Sequence, residues 1–283
     1  MENIKYSISG HESFYIREGW LTKGLEFIKE AQMNNSSDNP FSNNSIIDTI
    51  DELGLGVNMV KSLKFWLETF NLVSKGMLTR HAEIIYDKDK YIQKKETLWL
   101  LHYYISSVQD NSVFIVWRAI SERLTKVFSK ENIISDMELM LDKPVSLKTL
   151  ESNFNVYINT YYSSKYESKD PENNIVSPFV KLKYLQFDDK TGDYKFRNVS
   201  YEEINPYIAL LIFQGCMGEI QLIEFSKLFE YFRKYVKMDA YDFNLLLKRM
   251  QGLNLLTIDY AAGLNNIVIK KLDELEILGK IYE

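Results

Sequence analysis

Two adjacent residues near the start of the chain, His11 and Glu12, carry the most reactive pairing in the sequence. The preceding Gly10 lets the backbone take unusual conformations, an imidazole titrates near neutrality, and a neighbouring carboxylate can orient the ring or bind Mg2+. His11 and Glu12 are therefore the candidate catalytic residues. The alternative is a buried N-terminal segment in which both side chains satisfy backbone groups and Arg17. Elsewhere, carboxylates and a lysine close in sequence occur on one expected hairpin, as Asp188, Asp189, Asp193 and Lys195, at the spacing of an ordinary solvated turn. The single cysteine, Cys216, and the three scattered histidines, His11, His81 and His102, give no zinc-binding spacing, so no preformed metal centre is expected. Gly54-Leu55-Gly56 lacks the third glycine and the preceding strand of a dinucleotide site, and no nucleophile elbow is present.

A second kind of chemistry is recognition. Helical spacing over Val57 to Phe70 puts Val60, Leu63, Leu67 and Phe70 on one face, widened by Met59 and Trp66. Asn58, Lys61, Phe65 and Glu68 then point away, with Ser62 and Lys64 on the flanks. Asn58, Lys61, Ser62 and Lys64 supply the donors and acceptors that reading a major groove requires, and Lys75 and Arg80, on a trailing wing, are placed to meet phosphates. A second set stands near the other end: Asn244 and Lys248, with Tyr241 outward, Arg249 at the flank, and Lys234 and Lys237 upstream. A solvated helix face in a protein-binding module is the competing expectation for both sets.

The elements that must position these residues are mostly helical, since 12 glycines and 5 prolines in 283 residues leave little room for the tight turns of an all-β fold. The spacing predicts a helix over Trp20 to Met33, a polar linker from Asn34 to Ser45 anchored by Phe41, and a second helix capped by Ser45 with Ile46, Ile47, Ile50 and Leu53 inward. The Gly54-Leu55-Gly56 turn launches the third helix, and a short hairpin turning at Lys75-Gly76 follows. This is a winged helix-turn-helix order. It recurs toward the C-terminus: helices over Ile204 to Met217, Leu222 to Lys237 and Tyr241 to Leu253, then strands pairing across Ala262-Gly263. Phe243, Leu246, Met250 and Leu253 face inward on the last helix. Asn58 to Leu72 and Asn244 to Leu255 echo each other, each ending in an Asn-Leu step before a strand. Between them, helices are expected over Lys94 to Ser107, Val113 to Phe128, Glu131 to Leu141 and Ser146 to Tyr162, then a hairpin over Lys183 to Arg197. The last two helices and this hairpin form a candidate divergent winged helix. The expected fold is mainly α with small β-hairpins (α+β), winged helix-turn-helix units flanking a helical middle. Its segments are 1–95, 96–200 and 201–283.

Composition sets the class. The chain is 46% hydrophobic and 26% charged with a net charge of −5, which argues against non-specific coating of nucleic acid. Val57 to Lys95 nevertheless holds eight basic residues against four acidic, a local surplus where the first recognition helix lies. No stretch approaches the length of a membrane-spanning helix, and Met1 to Tyr6 lacks the pattern of a secretory signal, so a cytoplasmic protein is expected.

The string Ser9-Gly10-His11-Glu12-Ser13-Phe14, followed by Arg17 and by Gly19-Trp20-Leu21-Thr22-Lys23-Gly24, resembles the opening of the bacterial domain-of-unknown-function family 4007. Asn39-Pro40-Phe41-Ser42, Leu53 to Val60, Phe65-Trp66, Thr97 to Tyr103, Thr149-Leu150-Glu151 and Tyr161 resemble its later blocks in order, over roughly residues 8 to 190. Val57 stands where the family often has lysine, and Tyr15 where proline is common. Helical spacing and the local basic surplus point to double-stranded DNA bound through the Val57 to Phe70 helix, and the resemblance implies a component of a DNA phosphorothioation and antiphage system beside other phosphorothioation-system proteins. It also implies a DNA-nicking activity that would use Mg2+ or Mn2+. A non-catalytic winged-helix adaptor that docks sulfur-transfer or ATPase partners is the alternative.

Overall fold

The structure, a computed structural model, describes residues 4–34, 40–42, 46–108, 112–164, 176–217, 222–259 and 266–283. The chain divides into two compact units, Met1–Ile120 with Val127–Lys195, and Ser121–Lys126 with Phe196–Glu283. The expected boundary near residue 95 falls inside the first unit. A parallel pairing missed in the sequence spans it: β1 (Lys5–Ser7) pairs with β4 (Ser112–Phe114).

The first unit begins with α1 (Trp20–Met33), α2 (Ile46–Leu53) and α3 (Val57–Thr69). Gly24 permits α1 to lie against α3, because a Cβ there would come within 2.7 Å of Leu67 Cδ1. Phe41 is buried and packs edge-on against Phe27, as its place in the linker suggests. Ser45 and its cap lie outside the described residues. Ile47 is 68% exposed, whereas Thr49 is buried and donates to Pro40 O, so α2 is turned from its expected face. The hairpin β2 (Val73–Ser74) and β3 (Met77–Leu78) turns at Lys75 and Gly76. It runs directly into α4 (Arg80–Asp89), a helix the sequence reading missed, capped by Thr79 Oγ1 accepting from Ala82 N. α5 (Lys95–Ser106) starts over the buried Asp89, whose carboxylate accepts from Gln93 N, Lys94 N and Thr97 Oγ1.

The rest of this stretch is α6 (Ile115–Glu122), β5 (Val127–Phe128), α7 (Lys130–Met140), α8 (Leu147–Tyr161), β6 (Leu185–Asp188) and β7 (Asp193–Phe196). α6 is shorter than expected, since Val113 belongs to a strand before it and Val127 to one after it. Ser129 and Ser146 cap α7 and α8 as expected, accepting from Asn132 N and Thr149 N. The second unit contains α9 (Pro206–Met217), β8 (Leu222–Glu224), α10 (Phe225–Tyr235), α11 (Ala240–Gly252), β9 (Leu256–Asp259), β10 (Asn266–Ile269) and α12 (Glu274–Ile281). The Leu222 segment is a strand rather than the start of a helix, and α12 was not anticipated. The expected turn at Ala262-Gly263 lies outside the described residues. β8, β10 and β9 form one antiparallel sheet in that order. The chain is mostly helical with small sheets, an α+β fold.

Candidate nucleic-acid interface

α3 and α11 end in the same way. After α3, Asn71 takes φ +57°, Asn71 N donates to Glu68 O, and Leu72 N reaches back to Leu67 O at 2.9 Å. After α11, Asn254 takes φ +55°, Asn254 N donates to Gln251 O, and Leu255 N reaches Met250 O at 3.0 Å. A left-handed asparagine closing the last turn explains why an Asn-Leu step precedes a strand in both places. Registering the helices on this step shifts the sequence echo by three residues. Asn58 stands level with Tyr241, Lys61 with Asn244, Phe65 with Lys248 and Glu68 with Gln251. The buried rows also agree: Val60 with Phe243, Leu63 with Leu246, Leu67 with Met250, all wholly buried.

The outward faces differ. On α3, Asn58 and Lys61 are exposed, and Lys64 is half-buried with its ammonium 3.9 Å from Glu68. Burial pushes the Glu68 carboxyl up, with Lys64 opposing it. Ser62, expected at the flank, is wholly buried and its hydroxyl has no hydrogen-bond partner, so it offers nothing to a groove. Phe65, expected outward, is half-buried and meets the rings of His11 and Phe114 edge-on. The exposed amide and lysine of α3 thus stand in its first turns. Lys75 is exposed at the hairpin turn. Arg80 belongs to the first turn of α4 rather than to a wing, and its guanidinium pairs with Glu83 at 2.6 Å.

On α11 the stripe is open from end to end. Asp239 caps the helix, and Phe243, Leu246, Leu247 and Met250 anchor it in the core of the second unit. Tyr241 is 74% exposed, and Asn244, Lys248 and Gln251 follow it at exposed positions three, seven and ten residues on. Leu253 is 46% exposed rather than buried as expected. Of the upstream cations, Lys234 pairs with Glu122 at 2.7 Å. Lys237 is buried and donates to Arg123 O at 2.6 Å, out of reach of a phosphate. Burial above all, with Arg233 and Lys234 nearby and Glu122 opposing, lowers its ammonium to about 7.

His11 and Glu12 face apart. His11 is 4% exposed, its ring lying 5.3 Å from that of Phe114, while Glu12 is exposed. Nδ1 accepts from Ser13 N at 3.0 Å, which leaves the neutral ring's proton on Nε2. Burial holds the imidazole down at about 4, against a smaller opposing contribution from Asn153. At neutral pH this ring is uncharged, and its accessible lone pair is already committed to the backbone. The loop is strained: Gly10 has φ +107°, where a Cβ would also strike Phe65 Cδ2 at 2.6 Å, and Glu12 and Ser13 follow at +48° and +63°. It is tied to α8 by Ser152 Oγ donating to Ser13 Oγ and Asn153 Nδ2 donating to Ile8 O. Arg17 lies over the rings of Phe14, Tyr15 and Trp20. The Asp188 carboxylate accepts from Lys190 N within its turn. Among the described residues no group of three or more His, Cys, Asp or Glu is arranged to hold a metal ion.

Three of the family-like blocks, Phe65-Trp66, Thr97 to Tyr103 and Tyr161, meet in the core. Trp66, Trp99, His102 and Tyr161 join Phe114, Trp117, Tyr157 and Tyr184 in one run of ring contacts. Tyr161 is fully buried and its phenol is pushed well above the usual range by burial. Trp117 Nε1 donates to Tyr161 Oη at 3.0 Å, and Tyr161 Oη shares a second hydrogen bond with His102 Nδ1 at 2.5 Å. This second bond crosses 59 residues of sequence and no local spacing foreshadowed it. No described helix is long and apolar enough to cross a membrane.

A family model described as "Protein of unknown function (DUF4007)" matches residues 8–282, well past residue 190 where the motifs fade. The fold is similar to two solved structures, described as "SspB crystal structure" (TM-score 0.76, 17% identity) and "Magnesium ion-bound SspB crystal structure" (TM-score 0.75, 18% identity). Each comparison covers 99% of this chain and 88% of the other. No curated protein matches the chain.

Proposed function

Because the chain belongs to the DUF4007 family, we propose that it is the DNA-binding component of a bacterial DNA phosphorothioation and antiphage system. The open stripe Tyr241, Asn244, Lys248 and Gln251 on α11 carries the proposal. α11 is the third helix of a helix-strand-helix-helix-strand-strand order whose sheet runs β8-β10-β9, an order that supports reading it as a winged helix-turn-helix. The amide side chains present the paired donor and acceptor that an adenine edge requires, Lys248 suits guanine or phosphate, and Tyr241 suits the backbone. Asn58 and Lys61 at the start of α3, with Lys75, form a smaller second contact.

Nicking rests on the family resemblance, and a neighbour described as magnesium-bound makes Mg2+ the first ion to supply. His11, with its lone pair on Ser13 N, supports the loop rather than acting as a base. Supercoiled plasmid incubated with the protein and Mg2+ or Mn2+, beside a chelator control, tests both parts on one gel. A retarded plasmid upholds DNA binding, and metal-dependent open circles add nicking; a plasmid that shows neither change refutes the proposal. The second reading, an adaptor docking phosphorothioation-system proteins, is favoured by one observation. A cleft of about 710 Å³ between α1 and α2 is walled by Glu30, Asp48 and Glu52, a face that repels phosphate and suits a basic protein segment.

A further inference from the structure

The order of elements around α11 occurs a second time. Over residues 115–196, α6, β5, α7, α8, β6 and β7 follow one another as helix, strand, helix, helix, strand, strand, with a 3-10 turn at Pro178–Leu182 before β6, and the sheet runs β5-β7-β6. In the second unit α9, β8, α10, α11, β9 and β10 do the same, and the sheet runs β8-β10-β9. In each, the strand before the helix pair lies antiparallel beside the last strand, Val127 opposite Lys195 in one and Ile223 opposite Ile267 in the other. α8 therefore holds the topological place of α11.

Its outward face has the same chemistry. Leu150, Phe154, Tyr157 and Tyr161 fix the helix in the core. Lys148, Asn155 and Asn159 are exposed, and the half-buried Ser152 completes a stripe at four-, three- and four-residue steps. Lys143 is exposed in the turn before the helix, and the exposed amide end of α8 adds its partial positive charge. Of the acids beside the stripe, Glu151 is paired with Lys130 at 2.7 Å, while Glu12 is exposed at its border. The strained Glu12-Ser13 turn borders this face, pinned there through Ser152. The hairpin tip is different: Asp188 and Asp189 are exposed, with Lys190 between the tip and the next strand.

We propose that α8 is a further DNA-contacting helix, meeting a duplex through Lys148, Ser152, Asn155 and Asn159, with the acidic hairpin tip held off the phosphates. The proposal rests on the DNA-binding reading above and adds a separate site to it. The test is the affinity of the full chain for a labelled duplex, read by fluorescence anisotropy, for the wild type, for Lys148→Glu combined with Asn155→Asp, and for Lys248→Glu. All substituted positions are exposed, and thermal unfolding confirms that each variant folds. The α8 variant is expected to bind about tenfold more weakly, with a shallower salt dependence by about one to two ions released. Asp188→Asn combined with Asp189→Asn is expected to bind more tightly. Wild-type affinity in the α8 variant, beside weakened binding in Lys248→Glu, overturns this inference and leaves the proposed function standing. A wild-type protein that binds no duplex overturns both.

Discussion

Replacing His11 with asparagine separates a structural imidazole from a catalytic one. The substitution keeps an acceptor for Ser13 N and removes the titrating ring. The native ring takes a proton only near 4, whereas an unfolded chain takes it at 6.5, so between those values the unfolded state binds the extra proton. The stability due to the neutral, buried ring is complete above pH 6.5 and is lost as the pH falls toward 4. From the two values, the loss is about 2 kcal/mol by pH 5 and about 3 kcal/mol by pH 4. At pH 7 His11→Asn costs roughly 1–3 kcal/mol through lost packing against Phe65 and Phe114. Urea unfolding of both proteins at pH 7, 5 and 4 is the assay. Carboxylates titrate alike in the two, so the gap between wild type and variant is expected to close on acidification. Parallel curves, or a His11 imidazole that titrates near 6.5 by NMR, would refute the reasoning.

Lys237→Met acts with the opposite pH window. The folded ammonium is held at about 7 against 10.5 when unfolded, so wild-type stability rises as pH goes from 7 to 9, by about 2–3 kcal/mol, and the variant's curve is flatter over that range; calorimetry across those pH values measures it. Tyr161→Phe leaves Trp117 Nε1 and His102 Nδ1 without their shared partner in the core, and denaturant unfolding should show a loss of about 2–3 kcal/mol. Gly10→Ala places a methyl group against Phe65 in a backbone region L residues avoid, with an expected loss of about 1–3 kcal/mol in the same measurement and a shifted Phe65 environment by NMR.

Local signals in the sequence were readable and long-range ones were not. The buried rows of α3 and α11 followed from helical spacing apart from Leu253, and Ser129 and Ser146 announced their helices by type and position alone. The Asn-Leu echo marked a real shared helix ending, although its register emerged only from the backbone of Asn71 and Asn254. Phe65 and Ser62 were misassigned because a helical wheel cannot foresee that the Gly10-to-Phe14 loop and Phe114 cover one flank. The β1–β4 pairing escaped notice for the same reason: two three-residue strands more than 100 residues apart leave no local pattern. The resemblance to the family rested on aromatic and histidine blocks that turn out to pack together, which makes them markers of the fold. They did not point to the proposed DNA-contacting residues, which are polar and solvent-facing.

The most direct measurement of the central claim is duplex binding by wild type and Lys248→Glu as salt is raised from about 50 to 200 mM. The account predicts wild-type binding that falls steeply with salt. Lys248→Glu should bind about tenfold more weakly and with a slope smaller by about one to two. Identical affinity and slope in the two proteins, or binding indifferent to salt, would contradict it.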